Sequence, residues 1–165
     1  MPKPNILFVY ADQLRYHAMS TSANRVIKTP NFQQLADEGL VLDNAFSSCP
    51  ICAPYRGQLL TGRYSHANGV MDNSYLLYEN EKTIADALRS AGYKTLYVGK
   101  THLGFGPYSE KKRLGFDELL AYNANHSYYN VKYWENEEGP FPMLDYAPNV
   151  ETSLAIDWIR GHVEN

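Results

Sequence analysis

The sequence predicts an α/β fold: a mostly parallel sheet flanked by helices. Short apolar runs rich in strand formers alternate with amphipathic stretches of helical period, and turn or capping residues mark the joints. Hydrophobic residues make up 44% of the chain and charged residues 20%, the balance of a globular protein. A chain of 165 residues fits one domain, and folding at that length buries about 68–70% of the unfolded surface.

Asn5-Ile6-Leu7-Phe8-Val9-Tyr10 lies between Pro4 and the polar Asp12-Gln13 and reads as a buried parallel strand. Thr29-Pro30-Asn31-Phe32 opens a helix, with Thr29 able to cap and Pro30 at a position that needs no N–H. Phe32, Leu35 and Ala36 share one face of it, and Gly39 supplies the stop. Leu40 to Phe46 has the composition of a second strand, and a helix is predicted from just after Cys52 to near Gly62. Thr83 with Asp86 forms the signature of a capping box, ahead of an apolar stripe of Ile84, Ala87, Leu88 and Ala91 that ends at Gly92. Thr95-Leu96-Tyr97-Val98 reads as a third strand, broken at Gly99. From Thr101 to Pro148 the chain is rich in Gly, Pro, Asn and Tyr with weak periodicity, so loops are expected there. A final helix is predicted from about Val150 to Val163. The divisions are thus 1–104 as the α/β core, 105–148 as a loop-rich segment and 149–165 as a helix.

Composition narrows the function classes. The net charge is -3 and no basic run exceeds Lys111-Lys112-Arg113, which speaks against nucleic acid as a partner. The apolar runs fall far short of the ~20 residues that span a bilayer, so no membrane partner is expected. No export signal precedes the first strand, which favours a cytoplasmic location, although a trimmed signal would leave no trace. The cysteines, Cys49 and Cys52, stand as C-x-x-C. That spacing suits a redox pair or half of a zinc site, but no second ligand pair accompanies it.

In open α/β sheets ligands bind beyond the carboxyl ends of strands. Asp12 and Gln13 follow the first strand, while Lys100 and His102 follow the third and share a side if the backbone stays extended. Cys52 precedes a helix, whose N–H groups and dipole favour an anion, and Arg56 lies one turn further along the same face. Together they offer a carboxylate for a cation beside a cationic pocket for an anionic ester. Each residue also has a plainer reading: Asp12 as a turn cap, Lys100 and His102 as solvated loop residues, Arg56 as half of a surface ion pair.

Cys52-Ala53-Pro54-Tyr55-Arg56, continuing as Gly57-Gln58-Leu59-Leu60-Thr61-Gly62-Arg63, resembles the sulfatase signature, Cys-x-Pro-x-Arg followed by Leu-x-Thr-Gly. Gly99-Lys100-Thr101-His102-Leu103-Gly104 resembles that family's second signature, in which Trp more often stands at the position of Thr101. Pro4 to Phe8 with Ala11-Asp12-Gln13 resembles its opening strand and first metal ligands, and Thr29 to Gly39 its first helix. The motifs occur in the family's order between residue 4 and about residue 104, and they imply the N-terminal part of an alkaline-phosphatase-like catalytic domain.

The resemblance implies a sulfuric ester hydrolase. A maturation enzyme would convert Cys52 to formylglycine, whose hydrate attacks sulfur through one hydroxyl and expels sulfate when the other loses its proton. Asp12 and Gln13, together with the modified Cys52, would hold a divalent cation, calcium foremost. Arg56 would hold the diol, Lys100 and His102 would bind sulfate oxygens or stabilise the leaving group, and Asn73 would stand near the substrate. The substrate would be a sulfated small molecule or carbohydrate. Gln13 replaces the second Asp of many members, which keeps a phosphonate monoester or phosphodiester hydrolase on the same scaffold as an alternative. Tyr55 replaces a small residue and bears on acceptance by the maturation enzyme. The family draws further metal ligands, a Lys and a His from its second half. Without them this chain is expected to have little turnover alone, and self-association of a non-catalytic fragment is the remaining alternative.

Overall fold

A computed structural model describes residues 3–22 and 26–163. The chain divides into two compact units, one ending at Phe46 and the other beginning at Ser47.

In the first unit, helix α1 spans Pro30–Glu38, with Pro30 at its first position as the sequence predicts. Thr29 makes no side-chain cap there. Its hydroxyl instead accepts from the Ser20 backbone N–H at 2.9 Å and pairs with the Ser20 hydroxyl at 2.8 Å. A short 3-10 turn lies at Tyr16–Ala18. Residues 5–10 and 40–46, both predicted as strands, join no sheet. Val9 is 80% and Leu40 85% exposed. The physical reason is that an apolar run prescribes what a strand would bury, whereas a strand also needs a ladder partner on a neighbouring segment. Among the described residues no strand pairs with either run.

The second unit opens with α2, Cys52–Thr61, stopped by Gly62 in the left-handed conformation at φ 66°. A single-turn helix, α3, follows at Ser65–Asn68. Helix α4, Ile84–Ser90, begins at the predicted capping box: the Thr83 hydroxyl accepts from Ala85 N–H at 3.2 Å, and Asp86 accepts from Thr83 N–H at 2.9 Å. The strands are β1 at Leu96–Lys100, β2 at Glu118–Tyr122, β3 at Lys132–Glu135 and β4 at Glu138–Pro142. They lie in the order β1-β2-β3-β4. The β1–β2 pair is parallel, with Leu96 opposite Glu118 and Lys100 opposite Tyr122, while the other two pairs are antiparallel. Helix α5 spans Ala147–Val163 and packs against β1.

Residues 105–148 therefore correct the loop-rich expectation, since β2, β3 and β4 all form there. Their runs are short, and Asn136-Glu137 turns the chain at once from β3 to β4, so a window long enough to detect periodicity straddles two strands. The α/β class stands, with helices flanking an open mixed sheet.

The main core joins α2 to β1 and β2 through Ala53, Leu60, Val70, Tyr97, Leu103 and Leu119, all buried. A second cluster of Val131, Met143 and Ala147 seats the start of α5 against the hairpin. At the amino end of β1, the Asp117 carboxylate accepts from Thr95 N–H at 2.9 Å and pairs with Arg89 of α4 at 3.0 Å. These bonds clamp α4 to the point where β1 and β2 begin, so the opposite ends of both strands are free to carry chemistry.

Candidate active site at the β1 edge

Cys52 is the first residue of α2 and is partly exposed. The first turn of a helix presents N–H groups with no partner inside the helix, which makes its start favourable for negative charge. Here the cap is not local. Ile51 makes no side-chain cap bond, and the N–H of Ala53, next to Cys52, donates to Asn73 Oδ1 at 3.0 Å. Asn73, expected near a substrate, thus has its oxygen committed to the first turn of α2.

Arg56 lies one turn on and is only 5% exposed. Its Nη1 donates to the Tyr97 hydroxyl at 3.0 Å and to the Lys100 carbonyl at 2.5 Å, while the Tyr97 hydroxyl donates to that same carbonyl at 2.6 Å. Two sequence motifs separated by more than forty residues are thereby joined through buried polar contacts: the helix that starts at Cys52, and the end of the strand that leads to His102.

Beyond β1 the backbone stays tied to β2. Thr101 N–H donates to Tyr122 C=O and His102 N–H to Asn123 C=O, both at 2.8 Å, and the Thr101 hydroxyl reaches the same Tyr122 oxygen at 3.1 Å. His102 has φ 50°, so the chain leaves the extended conformation there. Strand alternation does not relate Lys100 to His102, as it would in a continuing strand. A left-handed residue at the site edge is held in place by its surroundings, here by the β2 carbonyls. Lys100 and His102 are 5% and 8% exposed, Thr101 is fully buried, and the plain reading of the two as solvated loop residues is corrected by that burial.

Asp12 and Gln13 lie in the first unit, in an exposed turn directly after the apolar run. A carboxylate and an amide carbonyl are donors of the type a hard cation takes, but such an ion gathers about six to eight oxygens. Among the described residues no group of three or more His, Cys, Asp or Glu is assembled that could hold a metal. The pair is at most part of a donor set.

Three residues at this edge carry no motif and were not among the candidates: Tyr97, Tyr122 and Glu151. Tyr97 is the bridge from Arg56 to Lys100. Its place three residues before a lysine that follows a strand was the one hint available. Glu151, on α5, accepts a hydrogen bond from the Tyr122 side chain and faces the charge of Arg56, while burial holds its carboxyl above the usual carboxylate range. No spacing rule connects a glutamate on the last helix with an arginine on α2.

The sulfatase family model matches residues 4–158. An N-acetylglucosamine-6-O-sulfatase of Bacteroides thetaiotaomicron is 32% identical over 99% of this chain, which spans 28% of that relative. An ulvan-active sulfatase of Formosa agariphila is 36% identical over 82% of the chain, equal to 27% of its own length. Among solved structures, one described as a complex with its substrate D-glucosamine-2-N,6-O-disulfate superposes with a TM-score of 0.78 at 32% identity, covering 87% of this chain and 28% of that one. With a match running from the opening apolar run through the Cys52 helix and the Lys100–His102 edge into α5, the chain belongs to the sulfatase family.

Proposed function

We propose that this chain carries the nucleophile-bearing edge of a sulfuric ester hydrolase that acts on a sulfated saccharide, with Cys52 as the residue converted to the nucleophile. The observation that carries this reading is the Arg56 link, in which one buried guanidinium spans the start of α2 and the Lys100 carbonyl. It ties α2, four residues beyond Cys52, to the end of β1 that leads to His102, which supports reading this edge as a setting for an anionic ester. Relatives that are 32% and 36% identical are named for activity on sulfated sugars, which supports the substrate class.

Formylglycine at position 52, when present, supplies a hydrated aldehyde whose two hydroxyls allow attack on sulfur and later release of sulfate. The chain's own residues provide the setting. The helix start and Asn73 fix the direction of residue 52, and Arg56 holds the α2 turn against β1. Lys100 supplies a positive charge for a sulfate oxygen. His102, held by its backbone bond to Asn123, stands as the proton donor to the departing alkoxide. Asp12 and Gln13 would contribute oxygen donors to a divalent ion, for which calcium is the first choice. Because the chain spans little more than a quarter of these relatives, its turnover alone is expected to be low.

Peptide mass analysis at residue 52, after co-expression with a formylglycine-generating enzyme, tests the nucleophile. Rates on an aryl sulfate and an aryl phosphonate, for the chain and for a longer protein containing it, test the reaction class. A thiol that stays unconverted under those conditions, or a preference for the phosphonate, would sink the proposal.

A further inference from the structure

Tyr108 is fully buried, and both contacts of its hydroxyl lie on the turn that carries His102. The hydroxyl donates to the Gly104 carbonyl at 3.2 Å and lies 3.4 Å from the Thr101 hydroxyl, so it reaches the turn on both sides of His102. Burying a hydroxyl is costly unless it is hydrogen-bonded, and a phenylalanine ring would fill much the same space without that cost. The backbone of Tyr108 is anchored independently of the turn. Its N–H donates to the Asn136 carbonyl at 2.8 Å, and its carbonyl accepts from Arg113 Nε at 3.3 Å. Asn136 is itself fixed to β2: its N–H donates to the Leu119 carbonyl at 2.9 Å, and its Oδ1 accepts from the Leu119 N–H at 3.0 Å. Burial raises the pKa of the phenol, so the hydroxyl keeps its proton and remains a donor at neutral pH.

The turn needs such a tie. His102 has φ 50°, a conformation that a residue with a Cβ keeps only where its surroundings impose it. The near side is held by β2, through the Tyr122 and Asn123 carbonyls, and the Leu103 carbonyl accepts from the Leu77 N–H at 3.3 Å. Gly104 has no side chain to anchor the far end, and the Tyr108 hydroxyl holds its carbonyl instead. We infer that Tyr108 is a positioning residue of the candidate site, whose hydroxyl keeps the Thr101–Gly104 turn in the left-handed form that presents His102 at the end of β1. This role rests on reading that edge as a setting for an anionic ester; the tie between the hydroxyl and the turn does not.

The test uses the full chain labelled with 15N, as the wild type, Tyr108→Phe and Thr83→Ala. The last loses stability at the start of α4 and serves as a control for destabilisation alone. Two quantities are read: the HN–Hα coupling of His102, which reports its φ, and the shifts of the Lys100 and His102 amides as inorganic sulfate is added at pH 7.5. Tyr108→Phe is expected to move the coupling toward that of extended backbone. It should also weaken sulfate binding about three- to tenfold, the effect of losing roughly one hydrogen bond. Thr83→Ala should lower the urea midpoint and leave both readings at their wild-type values. If Tyr108→Phe fails to fold, Thr101→Val and Thr101→Ser take its place: the valine withdraws the hydroxyl that faces Tyr108, the serine returns it, and only the valine should move both readings. Sulfate binding and coupling that are indifferent to Tyr108→Phe, or that change equally in Thr83→Ala, overturn the role of Tyr108 and leave the site reading intact. A coupling that depends on Tyr108, with no sulfate shift at Lys100 or His102 in the wild type, overturns the site reading and keeps the tie.

Discussion

Arg56 joins two motifs that the sequence leaves apart, and its contribution is open to measurement. It is a buried cation with two good acceptors, and hydrogen bonds from charged donors contribute about 1.5–3 kcal/mol each to stability. Replacing it with Ala removes one donor from the Lys100 carbonyl and one from the Tyr97 hydroxyl, which stay bonded to each other, and leaves a void. The expected loss is on the order of 2–4 kcal/mol in urea unfolding. Arg56→Lys should recover less than half of that, because an ammonium on a shorter stem does not reproduce the reach and planar geometry of the one Nη1 group that serves both acceptors. A full rescue by Lys would mean that charge alone matters. Gly99 makes a complementary case: its φ of 104° is a conformation that L side chains rarely adopt. The space there is adequate, since the nearest atoms to an added Cβ are 3.6 Å away. Any loss in Gly99→Ala is therefore backbone strain, expected at about 1–3 kcal/mol, and it should appear in the melting temperature. Tyr108 gives a pH test at the same scale. Its ring is fully buried, and its hydroxyl donates to the Gly104 carbonyl at 3.2 Å. Burial raises its pKa, against a smaller opposing effect from Thr101. The folded chain holds this proton more tightly than the unfolded chain does. Stability is thus fully present below the ordinary tyrosine value of about 10 and declines as pH rises from there through the raised folded value. Urea midpoints measured from pH 9 to 11 should fall more steeply in the wild type than in Tyr108→Phe.

At the scale of the element, the capping box of α4 is the clearest case of local sequence deciding local structure. The Thr83 hydroxyl accepts from Ala85 N–H and also donates to the Leu114 carbonyl at 2.7 Å, so one side chain both starts the helix and ties it to the approach to β2. Thr83→Ala removes both bonds, with an expected cost of about 1–2 kcal/mol. Thr83→Ser should retain most of the stability, and a loss in Ser equal to that in Ala would locate the effect in the methyl group. Helices α1, α2 and α4 were legible because each is bounded by residues whose conformational preference is intrinsic: Pro30, Gly62, and Thr83 with Asp86. The run at 95–98 was legible too and forms most of β1, but the other strands were not, because their formation depends on what lies beside them. The runs at 5–10 and 40–46 have strand composition without a ladder, whereas β4 joins a ladder from Glu-Gly-Pro-Phe-Pro, a sequence with little strand character, and β3 from only four residues, Lys-Tyr-Trp-Glu. The same division holds within the site. Cys52, Arg56, Lys100 and His102 were found through short motifs; Arg56 and Lys100 enter one bonded network, while the backbone next to Cys52 is bonded separately to Asn73. Tyr97, Tyr122 and Glu151 were missed because each acts through a contact with a distant segment, and His102 was expected in an extended chain that in fact ends just before it.

For the molecule as a whole, what governs behaviour in solution is the contrast between a second unit with buried clusters and a first unit that leaves an apolar run uncovered. Ile6, Leu7, Phe8 and Val9 are 59%, 71%, 62% and 80% exposed. Scattered apolar residues on a surface are ordinary, but four in succession on an extended segment form a contiguous patch. Their backbone groups are in no ladder, so the segment offers hydrogen bonds and apolar area together, the combination by which unpaired strands associate. The purified chain is therefore expected to bind an exposed-surface dye and to scatter light increasingly with concentration. Leu7→Lys with Val9→Lys should reduce both signals without lowering the urea midpoint, because neither side chain is buried against anything whose loss would destabilise the fold. A wild type that stays monomeric and dark to the dye as concentration rises would show that the run is covered in solution. A double variant that unfolds would show that these residues support packing that their exposure conceals.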